Sequence, residues 1–352
     1  MTTCQCGTER FLKQEVTDSY HDLRAAFSRP GFVTFKATGD WDAKRVGKMR
    51  SIFARYRGLS LGKVQCGDVD DFGNVSDAAT RVWETAKEIR VDRLHVFPRD
   101  LAMPGTDDFE PRLDANCAKI HNILYQQCPY REKLSAGAAE YLLPAERKET
   151  VLDIALVSPT EWYIGYHFAD HWRTLQPGGI ADVVRPIDAV SRAYLKFEEA
   201  LRWSEFPVKL GSRWLDIGAA PGGASQALLA RGAEVFAVDP AEMAPPLYKN
   251  PNLFHLRGRL NQIKCSSYRK ARWVVTDMNV APNYTLDVLE DCVLRKDMKI
   301  QGLLFTLKLL KWDLIADIPS YVQRIKNWGY GKIALKQMQF NRQEIMVAVK
   351  KS

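Results

Sequence analysis

Apolar and polar positions follow two different patterns in the two halves of the chain. In the first 170 residues, short apolar stretches bounded by turn residues predict strands, and apolar residues at helical spacing predict helices. The predicted strands are 31–37, 93–97, 150–157 and 161–168, and the predicted helices lie around Phe11–Val16, at 79–89 and at 113–125. This mixture predicts an α+β region.

From residue 190 onward, apolar strands alternate with amphipathic helices. Strands are predicted at 214–219, 234–239, 253–258, 272–278, 302–310, 332–338 and 344–350, and helices at 224–232 and 318–329. Such alternation is typical of a doubly wound, mostly parallel Rossmann-like sheet. The last two strands are too close for a helical crossover, so we expect them to pair as an antiparallel hairpin.

These patterns predict four segments. Residues 1–60 are expected to form an N-terminal α+β subdomain and 61–172 a second α+β domain. Residues 173–188, which contain Pro177-Gly178-Gly179, are interpreted as a linker. Residues 189–352 then form the α/β domain.

The composition of the 352 residues is that of a globular protein, with 46% hydrophobic and 26% charged residues, which excludes a fibre or a disordered chain. No run approaches the ~18 apolar residues of a membrane span, and the first ten residues lack the apolar core of a signal peptide. Seven cysteines, an odd and small number, favour a reducing compartment. We therefore expect a cytoplasmic protein.

The net charge of +8 is unevenly distributed. Residues 1–190 carry 25 basic and 27 acidic side chains, whereas residues 191–352 carry 25 basic and 15 acidic ones. The second half also has no acid between Glu242 and Asp277, where seven basic residues lie. This pattern indicates a polyanionic partner such as RNA, with a solvated basic surface as the alternative. The candidate phosphate-binding residues are Lys264, Arg269, Lys270 and Arg272.

A loop of small residues joins the first strand of the α/β domain to its helix. It departs from the GxGxxG dinucleotide fingerprint and lacks the GK[ST] of a P-loop, which disfavours a dehydrogenase. Asp216 beside the loop suits the cationic groups of S-adenosylmethionine, and Asp239, about 20 residues on, is placed to accept ribose hydroxyls. The candidate cofactor-binding residues are Asp216, Gly218, Ala219, Ala220, Pro221, Gly222, Gly223, Asp239 and Asp277. The alternative is a strand–loop–helix unit without a ligand.

Four charged residues are candidates for the chemistry. Asp277 ends a strand, Lys308 lies in an otherwise apolar strand, Lys196 lies on a helix before the sheet, and Glu344 begins the last strand. The apolar strand desolvates the ammonium group of Lys308, and Lys196 adds a like charge. We therefore expect a lowered pKa for Lys308, which suits a general base. Taken alone, Lys308 could be a snorkelling lysine at the strand end, and Lys196 and Glu344 could be solvated surface groups.

Together, Lys196, Asp277, Lys308 and Glu344 resemble the K-D-K-E tetrad of the FtsJ/RrmJ-type ribose 2′-O-methyltransferases. LDIGAAPGG, VVTDM, FTLKL and RQEIMVAVK carry this resemblance, which spans about residues 186–352. Upstream, FARYRGLSLGKV, WYIGYHF and SRAYLKFEEAL resemble the bacterial RlmM enzymes. The resemblance implies S-adenosylmethionine as cofactor, an N-terminal THUMP-type RNA-binding region, and methylation of the 2′-hydroxyl of one cytidine in 23S ribosomal RNA.

Three positions depart from the family pattern. Ala224 follows the loop where the family often has an aromatic residue, Arg259 stands where an acid is expected to contact the adenine, and Ala193 replaces a serine. The expected contacts around the adenine are therefore less well defined than the catalytic set.

Other readings of the sequence are a methyltransferase of tRNA or another RNA, and a non-catalytic RNA-binding protein that keeps the fold. A metal site at Cys4 and Cys6 is disfavoured because no second ligand pair stands nearby. His167 and His171 have helical spacing but lie at a strand end next to Trp172, which favours packing over ligation. We expect no metal, no membrane association and a monomer.

Overall fold

The computed structural model describes residues 1–351, which divide into two compact units, one of residues 1–182 and one that begins at residue 183. The boundary falls within the predicted linker, but residues 173–182 are part of unit 1 rather than a free connection. Gly178 shows this packing, because a Cβ on it would lie 2.5 Å from the ring of Phe97. Among the described residues, no helix is long and apolar enough to cross a membrane.

Unit 1 has an α+β architecture, as predicted. Its strands are β1 (Thr2–Thr3), β2 (Leu23–Arg29), β3 (Phe32–Ala37), β4 (Tyr56–Arg57), β5 (Leu59–Gln65), β6 (Arg93–Pro98), β7 (Thr150–Ser158) and β8 (Glu161–Phe168). Its helices are α1 (Glu9–Ser19), α2 (Ala43–Gly47), α3 (Phe72–Thr85) and α4 (Ala115–Gln126). Helix α3 begins earlier than predicted because Asp71 caps it by accepting the Asn74 N–H.

The strands of unit 1 form two four-stranded sheets. The first has the order β2-β3-β1-β4 with antiparallel neighbours, and the second has the order β5-β8-β7-β6, in which only β6 and β7 are parallel. Helices α3 and α4 cover the second sheet with an apolar core that includes Val82, Leu124 and Trp162. The assignment of this unit to the THUMP type, and its division at residue 60, stay predictions.

Unit 2 contains one large sheet with helices packed against it. Its strands are β9 (Arg213–Ile217), β10 (Glu234–Asp239), β11 (Leu253–Arg257), β12 (Trp273–Thr276), β13 (Gly302–Lys308), β14 (Lys332–Lys336) and β15 (Glu344–Lys350). Its helices are α5 (Ala193–Ser204), α6 (Gly223–Leu229), α7 (Pro282–Val293) and α8 (Ile318–Lys326). Helix α7 was not predicted.

The seven strands have the order β11-β10-β9-β12-β13-β15-β14. The first five are parallel, whereas β15 runs antiparallel to β13 and β14, which confirms the Rossmann-like sheet and its closing hairpin. Alternate residues of each inner strand enter different cores: Leu215 and Phe305 face one, and Trp214 and Leu304 the other. The inner strands are therefore apolar on both faces, which explains their uninterrupted hydrophobic runs.

Candidate active site

The carboxyl edge of the parallel strands gathers the four predicted catalytic residues. Asp277 follows β12, and Lys308 is the last residue of β13. Because β15 runs in the opposite direction, its first residue, Glu344, pairs directly with Lys308. Helix α5 packs beside this edge and contributes Lys196.

These side chains form a closed ring of alternating charge. Lys196 Nζ lies 3.2 Å from Asp277 Oδ2 and 2.5 Å from Glu344 Oε1. Lys308 Nζ lies 2.6 Å from Asp277 Oδ1 and also donates to Glu344 Oε2. Each ammonium group thus contacts both carboxylates. The ring carries no net charge, which permits its burial.

Burial makes these contacts strong. Glu344 is 3% exposed, and Lys196 and Lys308 are 9% and 8% exposed. Burial by itself raises the pKa of the Glu344 carboxyl, but the two ammonium charges and their hydrogen bonds outweigh it and lower this pKa to about 2. The carboxylate therefore stays ionised at neutral pH.

The predicted lowering of the Lys308 pKa is wrong. Burial does lower the pKa of this amine, but the charges of Glu344 and Asp277, and the hydrogen bonds to both, outweigh burial. The pKa of Lys308 is consequently raised above its ordinary value of 10.5. The prediction considered only the apolar neighbours along the strand and the like charge of Lys196, and left out the two carboxylates.

A cavity of about 280 Å³ opens beside the ring, and Asp277 belongs to both. The loop after β9 and the start of α5 form its walls, with small side chains at Gly218, Ala219 and Ala193. Asp216 also lines it, and this carboxylate accepts a hydrogen bond from Ser225 on Oδ2, whereas its buried Oδ1 has no partner among the described residues.

Burial raises the pKa of Asp216 to about 7, with the Ser225 hydrogen bond opposing the shift and the charges of Asp277 and Asp239 adding to it. A cationic ligand group against Asp216 would stabilise its charged form. The cavity is therefore suited to a ligand that carries positive charge, and its small walls permit close approach to backbone.

Gly218 and Gly222 of the loop both need the conformational freedom of glycine, but they have different positions relative to the cavity. Gly218 has φ +70° and Gly222 has φ +115°, a region that side chains rarely adopt. A Cβ on Gly222 would lie 2.2 Å from Leu247 Cδ1, so this residue permits packing and does not line the cavity, whereas Gly218, Ala219, Ala220, Pro221 and Gly223 do. Gly222 thus shapes the loop.

Asp239, the predicted ribose acceptor, ends β10 next to the loop. Its Oδ2 accepts the Ala220 N–H at 3.0 Å and its Oδ1 accepts the Ala241 N–H at 2.8 Å. It does not line the cavity itself, but each carboxylate oxygen has a further lone pair for a ligand. Its role toward a ribose stays a prediction.

The structure separates three of the predicted phosphate-binding residues, Arg269, Lys270 and Arg272, from the ring. Arg272 immediately precedes β12, and its N–H donates to the carbonyl of Arg213 at the start of β9, so residues 269–272 lie at the amino edge of the sheet. The ring lies at the carboxyl edge, about 16 Å away at ~3.3 Å per residue from Arg272 to Asp277.

The four predicted phosphate-binding residues also differ in their exposure to solvent. Lys264, Arg269 and Lys270 are exposed, but the Arg272 guanidinium is half-buried and donates to three nearby backbone carbonyls. Arg272 thus stabilises the backbone of residues 269–271, and phosphate binding by Lys264, Arg269 and Lys270 stays a prediction.

Unit 1 contains a separate buried cluster of His95, Asp153 and His167, in which one ring nitrogen of each histidine and one carboxylate oxygen lie within 4.8 Å of one another. His167 Nδ1 lies 2.6 Å from Asp153 Oδ2, and Nε2 lies 2.7 Å from the Thr174 carbonyl. Burial lowers the pKa of His167, but the charge of Asp153 and the hydrogen bonds to Asp153 and Thr174 outweigh burial and raise this pKa above its ordinary value of 6.5. Both ring nitrogens of His167 thus have oxygen partners within unit 1.

Three further polar residues, two at the ring and one at the cavity, were not identified from the sequence. Thr306 Oγ1 donates to Asp277 Oδ1 at 2.6 Å, and Asn341 Nδ2 donates to Glu344 Oε1 at 3.2 Å. Ser225 bonds to Asp216, as described above. Strand alternation placed Thr306 on the same face as Lys308, so a signal for it existed, whereas none existed for Asn341.

Comparisons with known proteins agree with this geometry. Residues 189–315 match the FtsJ-like methyltransferase family. Over 98% of its length, the chain is 29% identical to a ribosomal RNA large subunit methyltransferase M of Idiomarina loihiensis, of which 94% is covered. The protein of the same name from Tolumonas auensis is 26% identical, with 99% of this chain and 95% of that one covered. These matches confirm the resemblance found in the sequence.

Solved structures resemble the chain more distantly. Fibrillarin of Aeropyrum pernix, in complex with S-adenosyl-L-methionine, is 16% identical with a TM-score of 0.35, and covers 56% of this chain and 82% of its own. A fibrillarin pre-rRNA processing protein of Methanococcus jannaschii has a TM-score of 0.36 at 15% identity, with 44% and 75% covered.

Proposed function

We propose that this chain, whose residues 189–315 are an FtsJ-like methyltransferase domain, transfers a methyl group from S-adenosylmethionine to a ribose 2′-hydroxyl of large-subunit ribosomal RNA. One observation carries the proposal: Asp277 lines the acidic cavity and also contacts both lysines of the charged ring. A cofactor site and a proton-transfer site therefore meet at one side chain.

The cavity residues fit the cofactor. Asp216 offers a buried carboxylate with an unpartnered oxygen, and Asp277 adds a second acid to the same wall. The sulfonium and amino groups of S-adenosylmethionine are cationic, and when bound the cofactor supplies an electrophilic methyl group. Asp239, whose carboxylate oxygens each keep a lone pair, would accept the ribose hydroxyls.

The ring residues prepare the nucleophile. A ribose hydroxyl becomes a strong nucleophile only as a positioned base removes its proton. Lys308 Nζ would accept that proton after losing its own to solvent. Its raised pKa makes the unprotonated amine a strong base but leaves only a small fraction of the enzyme in that form. Asp277 and Glu344 hold the amine in place, and Lys196 balances the second negative charge.

The names of the curated relatives favour one class of RNA as the substrate. The curated relatives that span almost the whole chain carry the name ribosomal RNA large subunit methyltransferase M, which favours ribosomal over transfer RNA. The family resemblance specifies a cytidine of 23S RNA as the target. The complete charged ring favours an enzyme over a non-catalytic binding protein.

The test is methyl transfer from radiolabelled S-adenosylmethionine to protein-free 23S RNA and to tRNA, both from a strain that lacks this gene. We expect a single 2′-O-methyl mark on a cytidine of 23S RNA, mapped by resistance to alkaline cleavage. Lys308→Ala is the inactive control. Labelling of tRNA alone would refute the ribosomal substrate, and labelling of neither RNA would refute the methyltransferase activity.

A further inference from the structure

Two adjacent glutamates on α5 are both buried, but they have different partners. Glu198 is 5% exposed and pairs with Arg231, whose second guanidinium nitrogen lies 2.7 Å from Glu198 Oε2. Glu199 is completely buried, and its carboxylate accepts two backbone N–H groups. The Gln339 N–H donates to Oε1 at 3.0 Å and the Phe340 N–H to Oε2 at 3.3 Å.

Both donors of Glu199 lie in the turn that leads into the last strand. Within this turn, Asn341 Oδ1 accepts the Met338 N–H at 2.8 Å, which fixes the orientation of the amide. The same amide donates from Nδ2 to Glu344 Oε1 at 3.2 Å. A chain of hydrogen bonds and one short turn thus connects Glu199 to the carboxylate of the charged ring.

The helix of Glu199 also carries Lys196, three residues earlier and therefore on the same helical face. Lys196 Nζ contacts Glu344 Oε1, the same oxygen to which Asn341 donates. We propose that Glu199 is a positioning residue that fastens α5 to the turn 337–343 and so sets the placement of Glu344 between the two lysines. This inference rests on the proposed function, since it concerns the same ring.

A carboxylate is the group that this role requires. Two backbone N–H donors need two acceptor oxygens, and the site is closed to water, so neither donor can be satisfied by solvent. In Glu199→Gln one oxygen becomes an NH₂ group, which would face a backbone N–H. The turn would then shift, and Glu344 would loosen from Lys308 and Lys196.

Displacement of Glu344 from the two lysines would change the pKa of Lys308. The groups that face Lys308 are Glu344 on β15, Asp277 after β12 and, across both carboxylates, Lys196 on α5. Burial lowers the pKa of Lys308, and Glu344 is the largest influence that raises it, so withdrawal of Glu344 leaves burial opposed by Asp277 alone and that pKa falls. A residue that merely stabilised the fold would leave this pKa unchanged.

The experiment compares Glu199→Gln with Glu198→Gln in the full chain. The two substitutions are identical, adjacent and buried, so Glu198→Gln controls for lost stability. Single-turnover transfer to 23S RNA is measured from pH 7 to 10, together with S-adenosylmethionine affinity. For Glu199→Gln we expect a rate at least about 10-fold lower at high pH, and a profile that levels off at lower pH, with cofactor affinity within about 3-fold of wild type. Glu198→Gln should keep the wild-type profile.

A second readout does not depend on the reaction. In chains with ¹³Cε-labelled lysine, with the Lys308 signal assigned by its loss in Lys308→Arg, an NMR titration should show a lower Lys308 pKa in Glu199→Gln than in Glu198→Gln. If the two variants show equal Lys308 titrations and equal rate profiles, the inference about Glu199 is wrong. The proposed function still holds in that case as long as the wild type transfers methyl groups to 23S RNA. If the wild type transfers no methyl group, the proposed function is wrong. The NMR titration then still decides whether Glu199 positions Glu344. If Glu199→Gln does not fold, Asn341→Ala tests the same connection, and an unchanged Lys308 pKa there overturns it.

Discussion

The pH dependence of methyl transfer is the sharpest test of the charged ring. If Lys308 accepts the hydroxyl proton, only its unprotonated form is active, and the pKa of that amine in the free enzyme governs kcat/KM. Both carboxylates raise this pKa above 10.5. At pH 8, about one amine in 300 or fewer is then unprotonated, and at pH 7 about one in 3,000 or fewer.

The expected profile follows from these fractions. The logarithm of kcat/KM for 23S RNA, at saturating S-adenosylmethionine, should rise by about one per pH unit between pH 7 and 9 without levelling off. Stability must be followed in parallel by circular dichroism, so that unfolding at high pH is not read as a plateau. A plateau that begins below pH 9 would refute Lys308 as a base of raised pKa.

Substitutions at Lys308 separate its charge from its basicity. Lys308→Ala should lower the single-turnover rate about 10²–10⁴-fold, the usual contribution of a general base. Lys308→Arg keeps a cation between the carboxylates but cannot release a proton at these pH values, so it should be as inactive. Lys332→Arg is the matched control, because Lys332 is exposed and lies at the opposite, amino edge of the sheet. Near wild-type activity in Lys308→Arg would make Lys308 an electrostatic support, and the base would be another group.

Three other predictions address the cofactor, the RNA and the ring. Asp239→Ala should weaken S-adenosylmethionine binding by about 1–3 kcal/mol, the cost of a charge-assisted hydrogen bond, and unchanged affinity in calorimetry would remove Asp239 from the site. The double variant Arg269→Glu and Lys270→Glu should flatten the salt dependence of RNA binding by about 0.7 in slope per lost phosphate contact, and an identical slope would make these residues ordinary surface. Because the folded-state pKa of Glu344 is about 2 against an ordinary 4.5, its contribution to stability is complete above pH 4.5 and is lost as the pH falls toward 2. Urea unfolding should show a loss on the order of 3 kcal/mol over that range that is absent in Glu344→Gln.

The order of elements in unit 2 could be predicted because its inner strands are buried on both faces. Burial on both faces leaves uninterrupted apolar runs, and β9, β10, β12 and β13 were all recognised by them. Helix α7 was missed although its signals exist, since Pro282 begins it and its buried Leu286 and Leu289 recur at helical spacing. Tertiary contacts were not needed to find it.

The edge on which each residue lies could also be deduced from topology. A residue that precedes a parallel strand lies at the amino edge and one that follows it at the carboxyl edge, so Arg272 and Asp277 must be separated by the length of β12. The sequence-based grouping of basic residues counted charges along the chain without this step. It therefore could not show that Arg269, Lys270 and Arg272 lie at the edge of the sheet opposite Asp277.

The charge state of Lys308 could not be predicted from the sequence, for a physical reason. Along its own strand the lysine has only apolar neighbours, and these lower its pKa. The opposing influence comes from Glu344, which is 36 residues away and reaches Lys308 only because β15 reverses direction and pairs in one particular register. A shift of one residue in that register would turn Glu344 to the other face of the sheet and leave a buried ammonium group with one carboxylate fewer. The sign of the pKa shift is therefore a property of strand pairing, and the residue types alone do not determine it.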